Sequence, residues 1–182
     1  MKQLICVALV AVSATAALGE TLTFEFRGAI EERDGPLPAP FQNVAIGDPF
    51  SLSYTFDPNT PDGNDDPTHG WYATLSYELT ASGAIQAGVS DIPHSIFLYV
   101  ESQRYATTFY DEGLTIAGIL DFEPGTILTD ALPTTLDLDA LTDALFDFGN
   151  VDGYARGRIT RVFPEPATAV MLIGALLFVR RR

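Results

Sequence analysis

The densest group of potential ligand side chains is the run Asp57-Pro58-Asn59-Thr60-Pro61-Asp62-Gly63-Asn64-Asp65-Asp66. Calcium takes about six to eight oxygens from flexible, acidic segments. Asp57, Asn59, Asp62, Asn64, Asp65 and Asp66 are the candidate calcium ligands. The spacing is not that of an EF-hand, since Thr68 stands at the twelfth position of the loop, where a bidentate acid is required. Asn, Asp, Gly and Pro are also the residues that any long turn favours. The run therefore reads either as a calcium loop or as an ordinary polar turn, and no other cofactor is indicated.

Other reactive constellations are weaker. His69 and His94 are the two histidines, and they are too far apart for a paired zinc motif. A serine triad assembles in space and leaves no trace in spacing, but no Gly-x-Ser-x-Gly elbow is present. Paired carboxylates carry no information in so acidic a chain. Neither a Gly-x-Gly-x-x-Gly run nor a phosphate-binding loop occurs. No catalytic set emerges, and the expectation is a protein that is not an enzyme. Trp71, Tyr72, Tyr77, Tyr99, Tyr105 and Tyr110 offer faces on which sugar rings stack. The plainer alternative is that they fill a core and its cross-strand pairs.

Charge narrows the partners. The chain has 24 acidic and 10 basic residues in 182. Lys2, Arg180, Arg181, Arg182 and Glu165 lie in the end segments, which leaves residues 20–163 with 23 acidic and 6 basic residues, a net of −17 and no lysine. Such a surface repels phosphate backbones, so nucleic acid is not an expected partner. It also keeps an exported protein in solution. The single cysteine, Cys6, sits near the N-terminus, so the middle of the chain has no disulfide, thiolate ligand or thiol nucleophile. The 144 residues of that middle suffice for one domain with its own core.

The elements that must position these side chains are strands. Leu22, Phe24 and Phe26 alternate with polar residues, as do the residues of Phe50–Phe56 and of Trp71–Thr80. Ile96–Val100 and Ala106–Tyr110 read as a hairpin, followed by strands at Leu114–Phe122 and Tyr154–Phe163. Turn signals separate them: Asp34-Gly35-Pro36, Gly47-Asp48-Pro49, Glu112-Gly113, Pro124-Gly125 and Asp152-Gly153. One helix is predicted over Leu138–Phe148, with Leu138, Leu141, Leu145 and Phe148 on one face and Asp137 or Asp139 as its cap. The expected class is all-β, an antiparallel β-sandwich of jelly-roll or immunoglobulin-like type, in residues 20–163. A signal helix precedes it in residues 1–19 and a short membrane helix follows in residues 164–182.

The N-terminus has the form of a secretory signal. Lys2 gives a positive start, Leu4–Leu18 is apolar, and Ala17-Leu18-Gly19 supplies the small residues that a signal peptidase reads. Cleavage is expected after Gly19, with Ala16 or Ala17 as alternatives. The C-terminus reads Phe163-Pro164-Glu165-Pro166-Ala167-Thr168, then an uncharged run to Val179, then Arg180-Arg181-Arg182. The prolines, lacking an N–H, are expected to stop the preceding strand. The apolar run is shorter than the roughly 20 residues of a full helical span. The arginines would remain on the cytoplasmic side.

This three-part tail resembles the PEP-CTERM sorting signal of exported bacterial proteins over residues 163–182. The resemblance implies a protein held at the inner membrane until an exosortase cuts near Pro164, Glu165 and Pro166. Delivery to the cell envelope or extracellular matrix would follow. A plain tail anchor is the alternative. Val44–Tyr72, with Ile46-Gly47-Asp48-Pro49-Phe50, Tyr54-Thr55-Phe56-Asp57 and Thr60-Pro61-Asp62, resembles a stretch common in PEP-CTERM proteins of unassigned function. It implies a shared sandwich and no activity.

Two roles are therefore expected for the mature domain. It is a non-enzymatic envelope or matrix protein, or it is a module that binds extracellular polysaccharide, with or without calcium. A hydrolase on a sandwich scaffold ranks below both. An aromatic row exposed on one sheet face would favour the polysaccharide reading. A deep pocket with a buried histidine or carboxylate pair would favour the hydrolase.

Overall fold

The computed structural model describes residues 21–89, 95–111 and 113–165. Ala17, Gly19, His94, Pro166, Arg180, Arg181 and Arg182, the signal and the expected membrane helix all lie outside the described residues. Among the described residues no helix is long and apolar enough to cross a membrane.

The chain is all-β. Ten strands run β1 (Leu22–Asp34), β2 (Pro49–Phe56), β3 (His69–Ala73), β4 (Ser76–Ala81), β5 (Ala84–Val89), β6 (Ser95–Tyr99), β7 (Arg104–Asp111), β8 (Leu114–Phe122), β9 (Leu141–Gly149) and β10 (Tyr154–Glu165). They form one antiparallel sheet in the order β3-β6-β7-β8-β9-β10-β1-β2-β4-β5. Alternation decides which face is which. In β2, Phe50, Leu52, Tyr54 and Phe56 are buried while the residues between them are not. In β8, Leu114, Ile116, Gly118, Leu120 and Phe122 do the same.

The sheet is curled, so strands far apart in its order meet over one core. Tyr54 of β2 and Tyr105 of β7 share a hydrogen bond of 2.7 Å between their hydroxyls. Phe50 of β2 stacks on Phe146 of β9 at 4.0 Å, and Tyr77 of β4 packs on Phe109 of β7 at 4.8 Å. At the rim, Tyr77 and Gln86 both donate to one oxygen of Asp111, at 2.6 and 2.7 Å.

The expected strand over Trp71–Thr80 is two strands. β3 pairs with β6 and β4 pairs with β2, and Thr74 and Leu75 alone separate them. The chain turns a corner there and passes from one side of the curl to the other. The burial phase shows it: Tyr72 and Thr74 are buried at even positions, Tyr77 and Leu79 at odd ones, and Leu75 is exposed between them. β5 follows β4 across the two-residue turn Ser82-Gly83. Both residues have positive φ, 51° and 79°, as a type I′ hairpin requires.

The helix expected over Leu138–Phe148 is also overturned. A 3₁₀ turn at Leu138–Ala140, capped by the Asp137 carboxylate, leads into β9. Ala144, Phe146 and Phe148 are buried while Asp143, Leu145 and Asp147 are only partly so. The two-residue period of this segment therefore outweighed its helical one. β10 runs through Pro164 to Glu165, two residues beyond the expected stop, and pairs there with Phe24 and Thr23 of β1. β9 reaches only as far as Arg158 along β10. From there on, no described strand pairs with the second edge of β10, an edge position of the kind that tolerates a proline.

Candidate functional site

The strongest surface feature is built by β3 and β6, which lie together at one edge of the sheet. Their register sets His69 opposite Tyr99 and Trp71 opposite Phe97. Gly70, Tyr72, Ile96 and Leu98, which alternate with these, face the core. The pleat therefore sends four rings to the outside. Trp71 and Phe97 lie 6.3 Å apart with planes within 11° of parallel. Phe97 and Tyr99 are also 6.3 Å apart, within 19°. His69 meets Tyr99 edge-on at 5.3 Å. Trp71 is 42% exposed, high for a side chain of its size, whereas Phe97, Tyr99 and His69 are half-buried.

The ring of Trp71 is held at both ends. Its Nε1–H donates to Ser95 Oγ at 2.6 Å. On its other side Gly63 lies against the six-membered ring, with the space of a Cβ only 3.6 Å from it. The acidic loop runs beside β3 and acts as a partial extra strand. The Trp71 amide donates to Asp62 Oδ1 at 2.8 Å, and the Gly63 amide donates to the Trp71 carbonyl at 2.8 Å.

The six candidate calcium ligands are placed along that same loop. Asp57 Oδ1 accepts from the Asn59 amide, Asp62 Oδ1 from Asn64, Asn64 Oδ1 from Asp66, and Asp66 Oδ1 from Thr68, at 2.8 to 3.2 Å. Each is a turn in which a side-chain oxygen takes a backbone N–H two residues on. These bonds hold the Asp66 carboxyl below the usual aspartate range, the Thr68 amide contributing most. Asp66 Oδ2 also lies 3.2 Å from His69 Nδ1. Among the described residues no three His, Cys, Asp or Glu side chains are grouped to hold a metal ion.

The rings named from the sequence divide. Tyr72, Tyr77 and Tyr105 are buried core residues, and Trp71, Tyr99 and Tyr110 reach the surface. Tyr110 lies near the far end of β7, away from β3. The Tyr72 phenol is pushed up to about 12 by burial and then by Asp62. Phe97 and His69 were not legible as members of a patch, because their place depends on a pairing between distant strands.

A concavity of about 560 Å³ lies under the loop 126–137, floored by Leu98 and Phe122. Among the described residues the buried polar side chains are Thr74, Ser95 and Thr107, with no carboxylate or histidine. No protein-family model, curated protein or solved structure matches the chain.

Proposed function

We propose that this chain is an exported envelope protein whose β domain binds extracellular polysaccharide through the ring patch of β3 and β6. The observation that carries this reading is the exposure of Trp71 beside Phe97 and Tyr99 on the outside of the sheet. Aromatic faces attract the C–H faces of sugar rings, and a buried-core explanation fails for a tryptophan that faces water. The curled sheet, with Tyr54 and Tyr105 bonded across its interior, supports reading the domain as a sandwich of jelly-roll or immunoglobulin-like type.

The ends supply the route. The signal in residues 1–19, the Pro164-Glu165-Pro166 motif and the Arg180-Arg181-Arg182 terminus support export, brief retention at the inner membrane and processing by signal peptidase and an exosortase. No catalytic role is assigned to the domain. Affinity electrophoresis through gels cast with different polysaccharides tests the binding. Retardation by at least one glycan that Trp71→Ala abolishes supports the reading, and equal migration of both proteins in every gel, together with no depletion of the protein by any insoluble polysaccharide, defeats it. Mass spectrometry of the protein from its envelope fraction tests the route: the expected product starts near Glu20 and lacks Arg182.

A further inference from the structure

The geometry points to the face of a packed, uncharged polysaccharide, not a single soluble chain, as the ligand of the β3–β6 patch. The inference rests on the polysaccharide reading above and narrows it. Its first ground is the layout. The four rings occupy two positions on each of two adjacent strands, so the patch is as wide as it is long. A single chain in extended form is served by a line of rings. A block two strands wide suits neighbouring chains lying side by side.

The second ground is shape, since the acidic loop borders the rings only at one side, where Gly63 lies beside Trp71. The patch stands on the convex outside of the curl, opposite the buried Tyr72, Ile96 and Leu98. The four rings line none of the four best-formed concavities among the described residues. Sites for single small ligands are concave and carry a few convergent polar groups that fix orientation. Here Trp71 Nε1–H is bonded to Ser95 Oγ, and His69 Nδ1 lies 2.8 Å from Thr68 Oγ1 and 3.2 Å from Asp66 Oδ2. Trp71, the most exposed of the four rings, has its one polar side-chain atom engaged in this way.

The third ground is charge. Asp62, bonded to the Trp71 amide, and Asp66, beside His69, border the patch on the loop side. On the other side Arg104, opposite Tyr99, is held in a two-pronged bond by Asp121, at 2.7 and 3.0 Å. Among the described residues no unengaged cation is seen to border the rings, so a uronate or sulfated polymer meets repulsion. An uncharged ligand does not.

The full chain, produced with its signal and tail in an exporting bacterium and recovered in mild detergent, is mixed with microcrystalline chitin or cellulose. Parallel samples receive the soluble hexasaccharide of the same linkage or a soluble polyuronate. The packed polymer is expected to deplete the protein, with little loss at high salt, because apolar contact is not screened. The hexasaccharides should bind at least about tenfold more weakly, and Trp71→Ala should weaken depletion about tenfold, the size of one good aromatic contact. Tyr99→Ser is the second variant, and thermal melts confirm that both are folded. Hexasaccharide binding as strong as that of the solid, or preference for the polyuronate, overturns this inference and leaves the polysaccharide reading standing. Depletion that neither variant changes, or no binding to any glycan, overturns both. A loss of dimer in the ring variants by sedimentation would mean that a second copy covers the patch, and would also overturn both.

Discussion

Tyr54 and Tyr105 place their hydroxyls 2.7 Å apart in the middle of the core, one from each side of the curl. Both side chains are essentially inaccessible to water. Tyr105→Phe strands the Tyr54 hydroxyl in an apolar interior, which costs about 1–3 kcal/mol. The double change to Phe removes both polar groups and should recover part of that loss. Urea unfolding of the two single variants and the double variant measures the difference. Equal stability for all four proteins would show that the bond does not tie the two sides together.

The same pair sets an alkaline limit. Burial pushes both phenols above the ordinary tyrosine value, Tyr54 with a further contribution from its partner. A folded value raised above the unfolded one leaves stability untouched below about pH 10, because both states then hold their protons. Above that, the unfolded chain ionises first and stability falls as pH rises. Unfolding monitored between about pH 9 and 12 should show this decline, and the double Phe variant should show a shallower one.

Gly70 sits where β3 meets the loop 123–137. A Cβ at this position would lie 2.3 Å from the Asp130 carbonyl oxygen and 2.7 Å from the Tyr72 ring. The carbonyl belongs to the backbone and also accepts the Tyr72 hydroxyl at 2.6 Å. Gly70→Ala should therefore destabilise by about 1–3 kcal/mol through overpacking. It should also push the loop outward, read as faster amide exchange at Asp130 and its neighbours.

Titration of the full chain with calcium should give no saturable heat and no rise in melting temperature. The oxygens of Asp57, Asp62, Asn64 and Asp66 that bond backbone amides already shape the loop, with Asp62 also fastening it to β3. Among the described residues no three acidic or histidine side chains converge on one point, so a cation would have to draw its ligands together from along the loop. A saturable heat lost in Asp62→Ala would assign the loop to calcium instead.

Much of the sheet was legible in the sequence because its local signals agree. Phe50–Phe56 and Leu114–Phe122 alternate without a fault, and both are strands within a residue of the expected limits. The hairpin of β6 and β7 was equally plain. Three features were hidden by competing signals. Leu138, Leu141, Leu145 and Phe148 share a helical face, which masked the strand period of Ala144, Phe146 and Phe148. Trp71–Thr80 conceals a phase slip at Leu75, because Trp71, Ala73, Leu75, Tyr77 and Leu79 form an unbroken alternating series although the first three are exposed and the last two buried. β5, Ala-Ile-Gln-Ala-Gly-Val, is poor in aromatic residues and rests on the turn before it. The candidate site was half legible. Trp71 and Tyr99 stand out as residue types, but Phe97 and His69 join them only through a ladder between segments about 28 residues apart, which no local pattern encodes.

Thr23 faces Glu165 where β1 begins and β10 finishes. Entry and exit of the described chain are thus neighbours on one rung, and the polypeptide path is almost a closed circuit. A short bridge between those two points, with new termini cut at the Ser82-Gly83 hairpin, would rewrite the order of the strands without disturbing any rung of the ladder. Circular permutants of this kind would report whether the architecture depends on which strand is made first, since the finished sheet has no geometric reason to care.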